Sequence, residues 1–382
     1  MSSMFGLISR VRTSLNPPEA KPLPDSKPLK FGVLGAAAIA PMAFIAPVKS
    51  HPEAVVYAVA ARSKERAAAF AKTHGIEKVF GGSNSYQELL DDPEIDAIYN
   101  PLPNGLHFEW TMKALAAGKH VLLEKPSANT AEETRKMFEL AENKGLVLLE
   151  AFHYRFHPLA HRVKAIVESG ELGAVKSTST SLSIPRGIMK ADDIRFNYSL
   201  GGGALMDMGC YTINAMRYFA GADPTAVLSA EHELVSPQID RKTVATFSLP
   251  GSITSTILCD LSVPPMLKLI PALPIMNAVI QCEKGEIKVM NYIAPTLYHS
   301  ITVTTTANKK SRVEKAYTFP DLGEPWWTTY RYQLEAFVNK VKGRTPHAWV
   351  TKEDSIKNME AIESVYAKSG LGSRPKSEYV PS

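Results

Sequence analysis

A lysine that follows a short apolar run, in Glu124-Lys125-Pro126, and an acid and a phenol four residues apart, Asp207 and Tyr211, are the residues of this chain whose types and spacing suit proton chemistry on a small molecule. A lysine can donate a hydrogen bond to a substrate oxygen and stabilise a developing alkoxide, with a pKa set by burial and by neighbours such as Glu124. Three glycines, Gly201, Gly202 and Gly203, lead into the stretch carrying Asp207 and Tyr211. On a helix these two lie on one face and can act on one ligand, Tyr211 relaying a hydroxyl proton and Asp207 holding the substrate or tuning its neighbours. Each residue alone also has a plainer reading: a solvated lysine, an acid that compensates a helix dipole, a half-buried ring.

A second group of residues suits a dinucleotide. Residues 31–34 form a short apolar run that ends in Gly35-Ala36-Ala37-Ala38-Ile39-Ala40. This is a glycine-rich fingerprint with alanine at its second and third glycine positions, where small residues let the backbone approach a pyrophosphate that meets the amides of the next helix. At the end of the following apolar run stands Ala61-Arg62-Ser63-Lys64, with no acid to bind a ribose diol. A guanidinium, a hydroxyl and an ammonium at that point suit a 2′-phosphate, so NADP is favoured over NAD.

The elements that position these residues alternate. Apolar runs at 31–34, 55–60, 97–99, 120–123 and 146–149 are separated by helical patterns at 64–73, 85–90, 106–117 and 131–144. Such alternation predicts a parallel sheet with helices on both faces, because parallel neighbours need crossovers. The runs 100–107 and 124–126 fall at carboxyl ends of strands, where open parallel sheets bind ligands. After residue 150 the pattern changes. Helices are expected at 158–168, after Gly203, at 328–342 and at 353–368, the last closed by Gly370. A strand is expected at 174–184, and further strands at 227–234, 243–249, 252–260, 278–282, 286–290 and 300–306, the latter with hairpin-type antiparallel pairing. Residues 16–30, with Pro17, Pro18, Pro22, Pro24 and Pro28, read as an extended linker behind an amphipathic arm carrying Phe5, Leu7, Ile8 and Val11.

Composition narrows the class. With 382 residues, two domains, or three, are expected, and 45% hydrophobic content provides a real core. A net charge of +5 without a basic block argues against nucleic acid as the partner, and no apolar run reaches a bilayer's length. Cys210, Cys259 and Cys282 are too few and too scattered for a disulfide framework or a thiolate metal site, so no metal is expected. A cytoplasmic protein fits best, with organelle targeting by the arm as the lesser alternative.

Several motifs coincide with those of one family: the Gly35 turn, Pro101-Leu-Pro-Asn104-Gly-Leu-His107, Glu124-Lys125-Pro126, Glu150-Ala-Phe-His153-Tyr-Arg155-Phe-His-Pro158, Gly201 to Tyr211, and Asn358-Met-Glu with Tyr366 and Gly370. From about residue 30 to 370 the chain resembles the Gfo/Idh/MocA oxidoreductases, named for glucose-fructose oxidoreductase and inositol dehydrogenase. It is most similar to the branch of fungal D-xylose dehydrogenases and dimeric dihydrodiol dehydrogenases. With residues 1–29 set apart as arm and linker, the resemblance implies a Rossmann domain over 30–150 and an α+β domain over 151–382. The last would bind substrate, oligomerise through an open, predominantly antiparallel sheet, and pack its C-terminal helices back towards the first domain. It implies Lys125 as catalytic lysine before a cis proline, Tyr211 and Asp207 as its partners, and a nicotinamide near Asn100, Leu102, Asn104, His107, Glu124 and Lys125. His153 and Arg155 would line the substrate cleft, although a structural role for Arg155 weighs equally. The activity so implied is NADP-dependent oxidation of an aldose C1 hydroxyl, in D-xylose or D-glucose, to the lactone by a dimeric enzyme. Rival readings are a trans-dihydrodiol dehydrogenase, a sugar–sugar oxidoreductase with tightly held NADP, and a cofactor-binding sensor without catalysis.

Overall fold

The protein is described by a computed structural model over residues 4–190, 192–265 and 272–381. Six short strands, β1 (Leu29–Leu34), β2 (Ala54–Ala61), β3 (Lys78–Gly81), β4 (Ala97–Asn100), β5 (His120–Leu123) and β6 (Leu148–Glu150), pair in the order β3-β2-β1-β4-β5-β6. Every pair is parallel. Burial on both faces explains the unbroken apolar runs: all four residues of β4 are buried. The order reverses between β1 and β4, which opens a crevice beyond their carboxyl ends. Strand β3 was not read from the sequence, because it is a four-residue, half-exposed edge without an apolar run.

The second sheet has eight strands, β7 (Val175–Pro185), β8 (Ala226–Ser236), β9 (Ile239–Leu249), β10 (Ile253–Val263), β11 (Ile275–Cys282), β12 (Gly285–Met290), β13 (Ser300–Thr305) and β14 (Ser311–Glu314). Their order is β14-β13-β12-β11-β7-β10-β9-β8. All neighbours are antiparallel except β7 and β10, which run the same way, so the sheet is predominantly antiparallel as expected, with β7 inserted between β11 and β10. Alternation buries Ala245, Phe247, Ile257, Cys259, Ile280, Ile287 and Val303 on one face. That face packs on the helix Cys210–Ala220.

Two helices near the C-terminus tie the halves together. Thr329–Val341 brings Phe337 against Phe31 of β1, with ring centroids 5.8 Å apart. Lys352–Ser369 lies on the helix Ala131–Asn143, where Ala131 N donates to Glu363 Oε2 at 3.3 Å. The arm is helical over Met4–Leu15 and folds back on the second half. Its Arg10 is buried, donating to Thr296 O (3.1 Å), Leu297 O (3.3 Å) and Tyr317 Oη (3.1 Å), and stacks 4.0 Å above the Tyr317 ring. Among the described residues no helix is long and apolar enough to cross a membrane.

Candidate active site

The triple-glycine turn is built from behind. Gly203 adopts φ 127°, and a Cβ there would lie 2.5 Å from Arg374 Nη2 and strike Asp240 Oδ1, so only glycine fits. Asp240 and Arg374 form an ion pair at 2.7 Å with no side-chain exposure. Tyr366 Oη donates to Asp240 Oδ1 (2.9 Å), while Leu205 N and Thr243 Oγ1 donate to Oδ2 (2.7 and 2.8 Å). Arg374 Nε closes the network on Gly202 O at 2.6 Å. The chain then enters a π-helical turn, Leu205–Gly209, which carries Asp207 into the crevice and runs on as the α-helix carrying Tyr211. Wide turns of this kind recur at functional positions.

At the crevice Lys125 Nζ donates to both Asp207 Oδ1 and Asp207 O, each at 2.9 Å, and lies 5.0 Å from the centroid of the Tyr211 ring. Arg195 Nε donates to the other carboxylate oxygen, Oδ2, at 2.8 Å and is itself paired to Asp193 at 3.1 Å. Burial is the largest influence on Lys125 and would lower its pKa, but the charge and hydrogen bond of Asp207, together with Cys210, outweigh it and leave the ammonium above its ordinary value. For Asp207 burial pushes up, and the Arg195 and Lys125 charges override it, holding the carboxyl well below the usual carboxylate range. Two of the three ammonium N–H donors are committed, so one remains for a substrate oxygen.

The rest of the wall is aromatic. Tyr211 meets Phe152 and His153 edge-on, at 5.7 and 5.3 Å, and His153 lies 4.1 Å from the ring centroid of Tyr330. Burial, with Lys125 nearby, drives His153 down to about 3, so it is a neutral imidazole. Burial likewise keeps the Tyr211 hydroxyl protonated, with its pKa well above the usual value.

On the dinucleotide side Gly35 sits at φ 86° with its amide on Ala60 O (2.7 Å), and a Cβ there would press on Leu102 Cδ2 at 3.2 Å. The turn thus presents bare backbone from Ala36 to Ile39, Ala36, Ala37 and Ile39 half-buried and Ala38 exposed. Behind it Ser63 caps the helix Lys64–His74, accepting from Arg66 N at 3.1 Å. Arg62, Lys64 and Arg66 are exposed, and Arg66 Nη2 reaches across to Ala36 O at 3.3 Å. An open backbone cradle flanked by three cations fits a dinucleotide with a phosphorylated ribose.

The structure therefore brings Lys125, Asp207, Tyr211 and His153 together, and sets Gly35 and Ala36 beside Leu102 and Arg66. Asn104, half-buried, donates to Gly201 O at 3.0 Å and ties the segment 101–107 to the triple-glycine turn. Glu124 accepts from Tyr99 Oη at 2.8 Å, and burial raises its pKa. Three other residues point elsewhere. Asn100 is fully buried and holds Thr111 Oγ1 (3.1 Å) and Leu102 N (3.3 Å). His107 is also fully buried between Pro126 O (2.8 Å) and Leu102 O (2.7 Å). Two carbonyl partners favour a charged ring, but burial prevails and takes it down to about 4, so it positions the 102 and 126 backbones. Arg155 stacks 3.9 Å above Tyr218 and pairs with Asp354 at 3.3 Å, lining a different cavity from His153. The sequence reading missed Arg195, Arg66 and Tyr330. The one available signal was chemical: a buried aspartate beside a lysine invites a second cation, and Arg195 is the first basic residue upstream of the glycines.

A family described as oxidoreductases with an NAD-binding Rossmann fold matches residues 29–152, and the C-terminal domain of the same family matches residues 160–288. Fold and site thus define a nicotinamide-dinucleotide-dependent oxidoreductase. A D-xylose 1-dehydrogenase (NADP(+)) of Haloferax volcanii is 34% identical over 349 residues, spanning 90% of this chain and 98% of its own. With these matches, the chain belongs to the Gfo/Idh/MocA family. A trans-1,2-dihydrobenzene-1,2-diol dehydrogenase of Macaca fascicularis is 31% identical over 61% of this chain and 69% of its own. The 3-ketoreductase from Actinomadura kijaniata, solved with NADP and TDP-benzene, is 27% identical with a TM-score of 0.76, covering 93% of this chain and all (100%) of its own.

Proposed function

We propose that the protein is an NADP-dependent aldose dehydrogenase that oxidises the C1 hydroxyl of D-xylose or D-glucose to the lactone. The observation that carries this reading is Lys125, held at the crevice by Asp207 beside Tyr211 with one N–H uncommitted. The 34% identity to a D-xylose 1-dehydrogenase (NADP(+)) along almost its whole length supports the substrate and the cofactor. Arg62, Lys64 and Arg66 would bind the 2′-phosphate, and the backbone of 35–39 the pyrophosphate. Bound NADP supplies the hydride acceptor. Lys125, as the ammonium, donates its uncommitted N–H to the C1 oxygen and stabilises the alkoxide that develops there, while the hydroxyl proton leaves by relay through the Tyr211 hydroxyl to water. Asp207 with Arg195 fixes where that ammonium stands, and His153, neutral, offers a ring nitrogen to a further sugar hydroxyl.

The test is nicotinamide absorbance on mixing the protein with NADP or NAD and a panel of D-xylose, D-glucose, other aldoses and an aromatic trans-diol. Reduction of NADP by an aldose is expected. Silence with every sugar but reduction with the diol would replace this reading by a trans-dihydrodiol dehydrogenase, the second reading that the aromatic wall of Tyr211, Tyr330 and Phe152 favours. We also propose a homodimer through the outer face of the second sheet, where Ser179, Val279, Lys288 and Thr302 form one cross-strand row. Light scattering should return twice the chain mass.

A further inference from the structure

A cavity of about 530 Å³ opens beside the reaction centre, and part of its wall comes from the N-terminal arm, which lies outside the segments matched by the family. Its lining includes Tyr330 and His153, the latter packed against both Tyr330 and Tyr211. Leu15, Pro17, Met42, Ile293, Leu297 and Trp326 make most of the remaining lining apolar. Three of these are large hydrophobic side chains left exposed to solvent, Leu15 at 74%, Met42 at 54% and Leu297 at 44%. Exposed apolar side chains gathered around one concavity mark a ligand site, and the volume is that of a small-molecule pocket. The arm is fastened where it meets this cavity: buried Arg10 is bonded to the carbonyls of Thr296 and Leu297, both lining residues. Farther along, Ala20 N donates to Lys49 O at 3.0 Å.

We propose that the arm is part of the substrate site: Leu15 and Pro17, held in place by Arg10, complete an apolar subsite that receives a non-reacting alkyl or aryl substituent on the sugar or cyclic alcohol being oxidised. The proposal rests on the dehydrogenase reading only for the location of the reacting carbon. The arm thereby discriminates among substrates by what they carry away from that carbon, a task that the polar cluster around Lys125 cannot perform. Burying the side chain of a leucine against such a substituent is worth about a tenfold gain in affinity.

The experiment is calorimetric titration of the full chain, in saturating NADP, with 1,5-anhydro-6-O-benzyl-D-glucitol and with 1,5-anhydro-6-O-methyl-D-glucitol, which lack the C1 hydroxyl and carry their substituent away from C1. The wild type should bind the benzyl ether about tenfold more tightly. Leu15→Asp, at an exposed position that the fold does not need, should remove that preference and leave the methyl ether unchanged. Arg10→Ala should do the same by releasing the arm. Equal affinity of the two ethers in the wild type, an undiminished preference in Leu15→Asp, or an equal loss for both ethers would each overturn the proposal. If aldoses failed to reduce NADP while the benzyl preference and its loss in Leu15→Asp held, the aldose reading would fall and the subsite would stand.

Discussion

Two clusters of charge flank the same triple-glycine turn and are built on opposite plans. Behind the turn, Asp240 and Arg374 are wholly shielded, and each Asp240 oxygen has two donors, from Arg374, Tyr366, Leu205 and Thr243. In front, Asp207 is shared between Lys125 and Arg195, whose side chains keep 13% and 31% of their exposure, and Lys125 retains an uncommitted donor. Both Asp240 oxygens are thus satisfied, Arg374 Nη1 is left without a partner among the described residues, and the whole cluster is shut away from solvent, which suits it to fix geometry rather than to meet a ligand. One that opens on a crevice keeps the same kind of charge available for work. The comparison assigns stability to the first cluster and chemistry to the second, although both abut the same turn at 201–203.

Mutations can break this division. Lys125→Ala should lower kcat/KM about a thousandfold while the melting temperature stays close to that of the wild type, because Asp207 keeps Arg195 as a partner. Turnover near wild type would remove Lys125 from the mechanism. Asp240→Ala should do the reverse. It leaves Arg374 buried without a counter-charge and should cost about 3 kcal/mol or more in denaturant unfolding, with activity per folded molecule reduced far less than in Lys125→Ala. A loss of activity without a loss of stability would merge the two clusters into one. Arg62→Ala and Arg66→Ala sharpen the picture at a third charged surface: each should raise KM for NADP about tenfold and leave KM for NAD nearly unchanged. Unchanged constants for NADP would refute the 2′-phosphate assignment.

The parallel half was legible because its strands are buried on both faces and read as apolar runs between helical patterns, and β3 escaped because a four-residue edge strand carries no such run. The rear cluster was not legible at all. Asp240 and Arg374 are 134 residues apart, and nothing in their immediate neighbours distinguishes them from surface charges. At the crevice, motif positions pointed to Lys125, Asp207 and Tyr211, but not to which way neighbouring side chains turn. His107 and Arg155 stand in the same motifs and face inward or away, because side-chain direction is settled by packing from distant elements: Pro126 O for one, Tyr218 and Asp354 for the other. Arg195 reaches Asp207 across a π-helical turn, whose spacing no helical or strand period anticipates. The arm's return to Thr296 spans 286 residues and is fastened through the buried Arg10 guanidinium.

The most direct test of the front cluster is the titration of Lys125 itself, followed by NMR in protein labelled with ¹³C at the lysine ε-carbons and assigned with Lys125→Ala. The account predicts an ammonium that remains charged beyond its ordinary value of 10.5 in the wild type. In Asp207→Asn the raising charge is gone while burial and Arg195 still press downward, so the midpoint should fall below that value. A Lys125 midpoint below 10.5 in the wild type, or one that Asp207→Asn leaves unmoved, would contradict the claim that Asp207 holds the charge on this lysine.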